Sequence, residues 1–234
     1  LRGIRYVQLP TTLLAAVDSS VGGKAAIDLQ AGKNLAGAFW QPKGVLIDPD
    51  CLNTLSDRAF SDGMAEVIKY GCIRDREFFG LLDRCGGRAG VMDHIEQVIY
   101  TCCDLKRQVV LADERDTGER MVLNFGHTIG HAFELAGNYE TCSHGQGVAA
   151  GMNWAAQIGF GLGVTPEDAI LSVQDILKKY GLPLDIPCPW DVMTHAVLRD
   201  KKNLGGRINL ILMESLGHAV PHPVSSDQLL EQLE

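Results

Sequence analysis

The sequence predicts an α/β piece followed by a mostly α-helical domain, with the change of texture near residue 57. Before that point the apolar residues come in short runs bounded by Pro and Gly, without helical spacing. After it they recur every three to four positions, in segments with Ser or Thr at the start and Gly at the end. Gly is abundant at 26 residues and aromatics are few at 6%, which favours tight turns and close backbone packing. A chain of 234 residues that is 46% hydrophobic can bury a sizeable core, as one large domain or two small ones. The expected units are residues 1–57 and 58–234.

Residues 4–9 read as a short strand ending at Pro10, with Thr11 or Thr12 capping the next segment. "VDSSVGGK", 17–24, is a turn-rich loop. "AAIDLQAGKNLAGAF", 25–39, has β-like ends around Ala31–Gly32 and predicts a hairpin. The compact apolar run "GVLIDP", 44–49, predicts a buried strand. Ser56 then caps a helix through "DRAFSDGMAEVIKYG". Residues 93–114 are apolar at 95, 98, 99, 102, 105 and 109, which is helical spacing. "NFGHTIGHAFELAG" predicts a helix closed by Gly137. The small residues of "GQGVAAGMNWAAQIGFGLG" let helices approach closely. "TPEDAILSVQDILKKYGLP" has Thr165 to cap, Pro166 for the first helical position and a Gly to terminate. "GRINLILME", 206–214, is the last expected strand.

The formal net charge of −8 argues against a nucleic-acid partner. No apolar stretch approaches the ~20 residues that span a bilayer, and the first residues lack the layout of a signal peptide. Seven cysteines without a CxxC point to reduced thiols and a cytoplasmic protein. "RYVQLP" reads like a strand entered from an earlier element, so the chain is expected to begin inside a larger fold.

His127 and His131 are four residues apart, on one face of a helix and one turn apart. His144 opens "SHGQGVAAGM", and Glu66 sits in an apolar helix where an unpaired buried carboxylate is costly. A catalytic zinc takes three protein ligands from such residues and keeps a fourth position open. Spacing alone leaves open whether both histidines of the pair bind metal, one does, or neither. Lys24 follows Gly22–Gly23, where amides and an ammonium can converge on an anion, although the P-loop spacing is absent. Lys69 lies three residues after Glu66, and an intrahelical ion pair fits equally well. Lys106, Arg120, Lys201 and Lys202 are surface charges taken singly; converging on one pocket they would bind phosphate or carboxylate.

"LPTTLLAAVDSSVGGKAAIDLQAGKNLAGAFWQP", "GMAEVIKYG", "LNFGHTIGHAFE", "HGQGVAAGM" and "RDKKNLGGRINLIL" occur in that order. Together they resemble the 3-dehydroquinate synthase family of sugar-phosphate cyclases. The resemblance implies a two-domain fold lacking most of its N-terminal nucleotide-binding domain. It implies a shikimate-pathway lyase, serving aromatic amino acid biosynthesis, that converts 3-deoxy-D-arabino-heptulosonate 7-phosphate into 3-dehydroquinate and phosphate. NAD would take a hydride and return it, and a divalent metal, zinc or cobalt, would hold the substrate hydroxyls. A homodimer is implied as well.

Carried over position by position, the metal ligands would be Glu66, His127 and His144. His131 would be the acid/base histidine, with Asp116, Lys69 and Lys106 as further catalytic residues. Asp18, Lys24, Asn34, Lys69, Lys106, Arg120, Asn124 and His131 match substrate-binding positions, as does one lysine of "DKK", taken as Lys201 over Lys202. Thr11, Thr12, Lys33, Cys51, Leu52, Asn53 and Thr54 match positions that line the nucleotide. Asp116 stands where the family has a Glu, Ala25 where Thr is common, and Gln146 where a Glu follows the third metal histidine. That Gln keeps a hydrogen-bonding end but loses a negative charge beside the metal ligands. The family's Gly-rich pyrophosphate loop has no counterpart here, so the chain alone is expected to bind NAD poorly and to turn over slowly or not at all. The rival readings are another sugar-phosphate cyclase, a metal-dependent polyol dehydrogenase, and a non-catalytic metal-binding fragment.

Overall fold

The computed structural model describes residues 3–29, 32–116, 118–136, 142–194 and 207–233. Strand β1, Val7–Gln8, pairs in parallel with β4, Gly44–Val45. Between them, β2, Lys24–Leu29, and β3, Gly32–Phe39, form the expected antiparallel hairpin, with Lys24 opposite Phe39. The loop expected at 17–24 is helical in its first residues: a π-helical turn spans Ala15–Ser19. Its entry is fixed by Thr12, whose Oγ1 accepts from the Ala15 amide at 3.2 Å. Leu13, Ala16 and Val17 are fully buried there, so their burial turns a polar-looking stretch into a packed turn.

The strand expected over 44–49 is a correction. Only Gly44–Val45 pairs, and Leu46 is 65% exposed. Among the described residues β4 has β1 as its sole neighbour, and of the apolar run Ile47 packs, partly buried, against the core while Leu46 faces outwards. A 3-10 turn at Pro49–Thr54 follows, capped by Asp48, whose carboxylate accepts from the Asp50 amide.

Helix α1, Asp57–Arg74, starts where expected, with Ser56 Oγ accepting from the Ala59 amide at 3.2 Å. It is buried from Gly63 to Ile73 and is the central strut of the larger core. Helices α2, Arg76–Cys85, α3, Arg88–Asp93, and α4, Ile95–Ala112, follow; the segment 93–114 is thus one helix begun after a break at His94. After a 3-10 turn at Glu119–Asn124 come α5, His127–Ala136, α6, His144–Gly161, and α7, Glu167–Lys179. Gly137, expected to close α5, lies outside the described residues.

Thr165 does not cap α7, a second correction. Pro166 holds the N-cap position in an extended conformation. Thr165 turns inward, and a Cβ on Gly159 of α6 would lie 2.1 Å from its hydroxyl. Strand β5, Arg207–Ser215, pairs with β6, His218–Ser225, and α8, Ser226–Leu233, is the last element. Neither β6 nor α8 was expected. Among the described residues none forms a helix long and apolar enough to cross a membrane.

Two clusters form the core. One joins α1, α4, α6 and α7 through residues such as Met64, Ile68, Val98, Met152 and Val173. The other joins α5, α6, β5 and α8 through Ile129, Phe133, Ile158, Leu212 and Leu229. Helix α6 serves both, and it can do so because its neighbours touch its backbone. A Cβ on Gly151 would lie 1.9 Å from the Gly126 carbonyl oxygen, and one on Gly130 would lie 2.8 Å from that of Gly147. A Cβ on Gly145 would meet the Asp62 carbonyl oxygen of α1 at 2.4 Å. Glycine at these points brings α1, α5 and the first turn of α6 to one place.

Candidate metal centre

At that place sit Glu66 of α1, His127 at the start of α5 and His144 at the start of α6. One side-chain donor atom from each lies within 4.8 Å of the other two. Glu66 is fully buried. Its Oε1 is 3.3 Å from His144 Nε2 and 3.5 Å from His127 Nε2. The outer nitrogens of both rings are occupied. His127 Nδ1 donates to the Phe125 carbonyl at 3.1 Å, and His144 Nδ1 donates to Glu134 Oε1 at 2.9 Å. A carbonyl and a carboxylate only accept, so both rings carry a proton on Nδ1 and turn Nε2 towards Glu66; on His144 Nε2 is protonated as well and donates to Glu66 Oε1. The other Glu66 oxygen faces the buried ammonium of Lys69, an ion pair one helical turn along.

Charge is held tightly here. Burial works against an ionised Glu66, but the Lys69 ammonium and the two imidazoles keep its carboxyl well below the usual range. Burial and the same ammonium push His127 down to about 4. Burial also works against a charged His144, yet hydrogen bonds to Glu134 and Glu66 outweigh it and raise the ring to about 10. One carboxylate oxygen and two oriented imidazole nitrogens around a common point match the ligand set of a three-ligand divalent-cation site. The fixed outer nitrogens match the way such sites orient their histidines.

His131 lies one turn beyond His127, exposed, with its ring edge-on at 5.7 Å between centroids. It is not part of the three-residue group. Glu134 was missed by the sequence reading. Its mark was its place: seven residues after His127, two turns on along the same face of α5. Gln146 uses its hydrogen-bonding end on the main chain: its Oε1 accepts from the Ser143 amide at 3.2 Å, half of a capping box that opens α6. The carboxylate beside the histidine is supplied by Glu134.

A cavity of about 620 Å³ is lined by Asp18, Lys24, Lys106 and Arg120, with Gly37 and Phe39 from the hairpin. Lys106 is buried and donates to the Asp18 carbonyl at 2.7 Å, with Asp18 Oδ1 at 2.9 Å. Tyr70, the residue after Lys69, donates to Asp18 Oδ1 at 2.7 Å. Tyr70 thus ties Asp18 of the cavity wall to α1, the helix that carries Glu66. Burial opposes an ionised Asp18, and the Lys106 ammonium more than offsets it. Arg120 is buried too, donating to the Glu114 carbonyl at 2.8 Å and the Gly22 carbonyl at 3.1 Å. A Cβ on Gly22, whose φ is +106°, would lie 2.6 Å from that guanidinium. Lys24 pairs with Asp116, a non-glycine residue at φ +60°.

Asn124 is exposed at the end of its 3-10 turn. Lys33 and Asn34 lie on β3, with side chains outside those described, and Lys201 and Lys202 lie outside the described residues. Thr11 is exposed, and Thr12 is spent on its cap. In the 51–54 turn Leu52 points into the core while Asn53 and Thr54 face outwards.

The chain has relatives among known proteins in both sequence and structure. A family model described as 3-dehydroquinate synthase C-terminal matches residues 63–203, and one described as 3-dehydroquinate synthase N-terminal matches residues 1–62. The 3-dehydroquinate synthase of Clostridium botulinum is 51% identical over 220 residues, covering 94% of this chain and 63% of that protein. That of Clostridium acetobutylicum is 48% identical over 234 residues, covering 100% and 66%. The chain therefore spans less than two thirds of the length of these relatives. Among solved structures, a 2-epi-5-epi-valiolone synthase from Streptomyces hygroscopicus with NAD+ and Zn2+ bound is similar at a TM-score of 0.88 and 26% identity, covering 98% of this chain and 65% of that one. A 2-deoxy-scyllo-inosose synthase complexed with carbaglucose-6-phosphate, NAD+ and Co2+ has a TM-score of 0.86 and 30% identity, covering 98% and 66%.

Proposed function

The chain belongs to the 3-dehydroquinate synthase family, and from that premise we propose that it carries the metal- and substrate-binding part of an enzyme that turns 3-deoxy-D-arabino-heptulosonate 7-phosphate into 3-dehydroquinate and phosphate. The supporting observation is the convergence of Glu66, His127 and His144 beside a cavity rich in cations. The higher identity to the dehydroquinate synthases than to the two other cyclases favours this substrate over another sugar phosphate. We place the boundary between the two units at residue 57, where α1 begins.

In this reading Glu66, His127 and His144 hold zinc or cobalt. Such an ion supplies Lewis acidity that favours the alkoxide form of substrate hydroxyls, and NAD is the hydride carrier. Lys24, Lys106 and Arg120 hold the substrate's anionic groups, and Arg can do so with two parallel bonds. Asp18 and Asn124 orient hydroxyls, as do Asn34 and Lys201. His131, exposed beside the cluster, moves a proton at its imidazole, and Asp116 assists by way of Lys24. Thr11, Thr12, Lys33 and the 51–54 turn form one wall of the nucleotide cleft. The enzyme is a cytoplasmic homodimer.

The histidine assignment is tested by metal titration of the H127A and H131A variants. H127A is expected to lose tight binding and H131A to keep it; equal loss in both defeats the split. Metal uptake should also release a proton. His144 is raised to about 10 and must deprotonate to ligate, whereas His127, at about 4, is already neutral. Affinity should therefore rise about tenfold per pH unit between pH 6 and 9. Calorimetry in buffers of different ionisation enthalpy reads the proton directly; no release means that His144 is already neutral before the ion binds.

A further inference from the structure

Resting on the metal-site reading above, we infer that Glu134 is the positioning residue of the centre, fixing the ring and the donor strength of His144. The two histidines are oriented by unlike means. His127 is held by a main-chain carbonyl two residues back, which no side-chain substitution removes. His144 is held by a side chain from another helix, Glu134 Oε1, at 2.9 Å. His144 begins α6, so its own helix supplies no preceding turn to hold the ring. Its ring is also the more open of the two, with a side chain 35% exposed against 15% for His127. It is therefore the ligand in greater need of an external partner.

Glu134 is suited to that task. Its side chain is 6% exposed, so its carboxylate acts in a low-dielectric setting where a hydrogen bond is strong. It rides on the helix that carries His127, seven residues on, so one helix face presents both a donor and the partner of the second donor. The α5–α6 seam, closed to backbone contact at Gly130 and Gly147, fixes the distance between Glu134 and His144. A carboxylate accepting the Nδ1 proton makes Nε2 a stronger donor than a carbonyl would. Its charge also counts: with Glu66 paired to Lys69, Glu134 supplies the net negative charge beside the ion.

The test uses the full 234-residue chain with E134Q and E134A, Co2+ and Zn2+ as probes, and H127A as reference. Metal affinity is read by competition with a chromophoric chelator. Ligand geometry is read from the visible d–d absorption of the Co2+ form, and fold integrity from thermal unfolding in EDTA. E134Q keeps an acceptor and loses the charge; a 10- to 100-fold loss of affinity is expected. E134A should lose more and should alter the Co2+ absorption envelope. Wild-type affinity and an unchanged envelope in E134Q would overturn the inference, whether or not E134A folds. If the wild-type chain itself binds no metal and matches H127A, the metal-site reading fails instead, and the two failures are told apart.

Discussion

Glu66→Ala should abolish metal uptake and also destabilise the protein by about 3–5 kcal/mol with metal absent, because it leaves a buried ammonium without its partner. Lys69 is 2% exposed and pairs with Glu66 one turn away. Urea unfolding in EDTA isolates this effect from any contribution of the ion. An E66A variant as stable as the wild type under those conditions would mean that Lys69 finds another partner or loses its proton at little cost. Replacing both residues by apolar ones of similar volume, Glu66→Leu with Lys69→Met, should recover much of the loss while metal binding stays absent. That combination shows whether the pair is kept for the site or for the fold.

Gly151→Ala is the second large effect. The added Cβ would lie 1.9 Å from the Gly126 carbonyl oxygen, and the obstacle is backbone, which cannot rotate away. Overpacking a core ordinarily costs about 1–3 kcal/mol, and this contact belongs at the top of that range or above it. Pushing α5 from α6 also parts His127 from His144, so metal affinity should fall together with the melting temperature. Gly44→Ala is the control: nothing lies within 4 Å of its Cβ position, and its stability should stay within about 0.5 kcal/mol of the wild type. Equal melting temperatures for G151A and G44A would show that the seam can relax.

Local chemistry made some elements readable and hid others. Ser56 announced α1 because a cap is written in one residue and the helix after it in its spacing. The hairpin at 24–39 was readable from its ends and its Gly-bearing centre. Strand β6 was hidden by Pro221 and Pro223, which forbid an interior strand; they are tolerated because β6 pairs only with β5 among the described residues. The 44–49 run misled because apolar content says that a strand wants cover, not that the whole of it is covered. At the site, the spacing of His127 and His131 was visible, but which of them meets Glu66 depends on how α1 and α6 cross α5. Glu134 went unnoticed for the same reason: its partner is ten residues away in sequence and on another helix. Lys106 and Arg120, taken singly, looked like ordinary surface charges, and only the fold turns them inward.

The glycine seam has a consequence for how the centre can change over time. Side chains can be exchanged one at a time without moving a main chain, but two helices that already touch have no slack to give. The gap between the imidazoles is thus set by peptide carbonyls rather than by any residue open to gradual substitution. Lineages that come to prefer a different ion must alter the donors, since the frame that spaces them offers no intermediate widths.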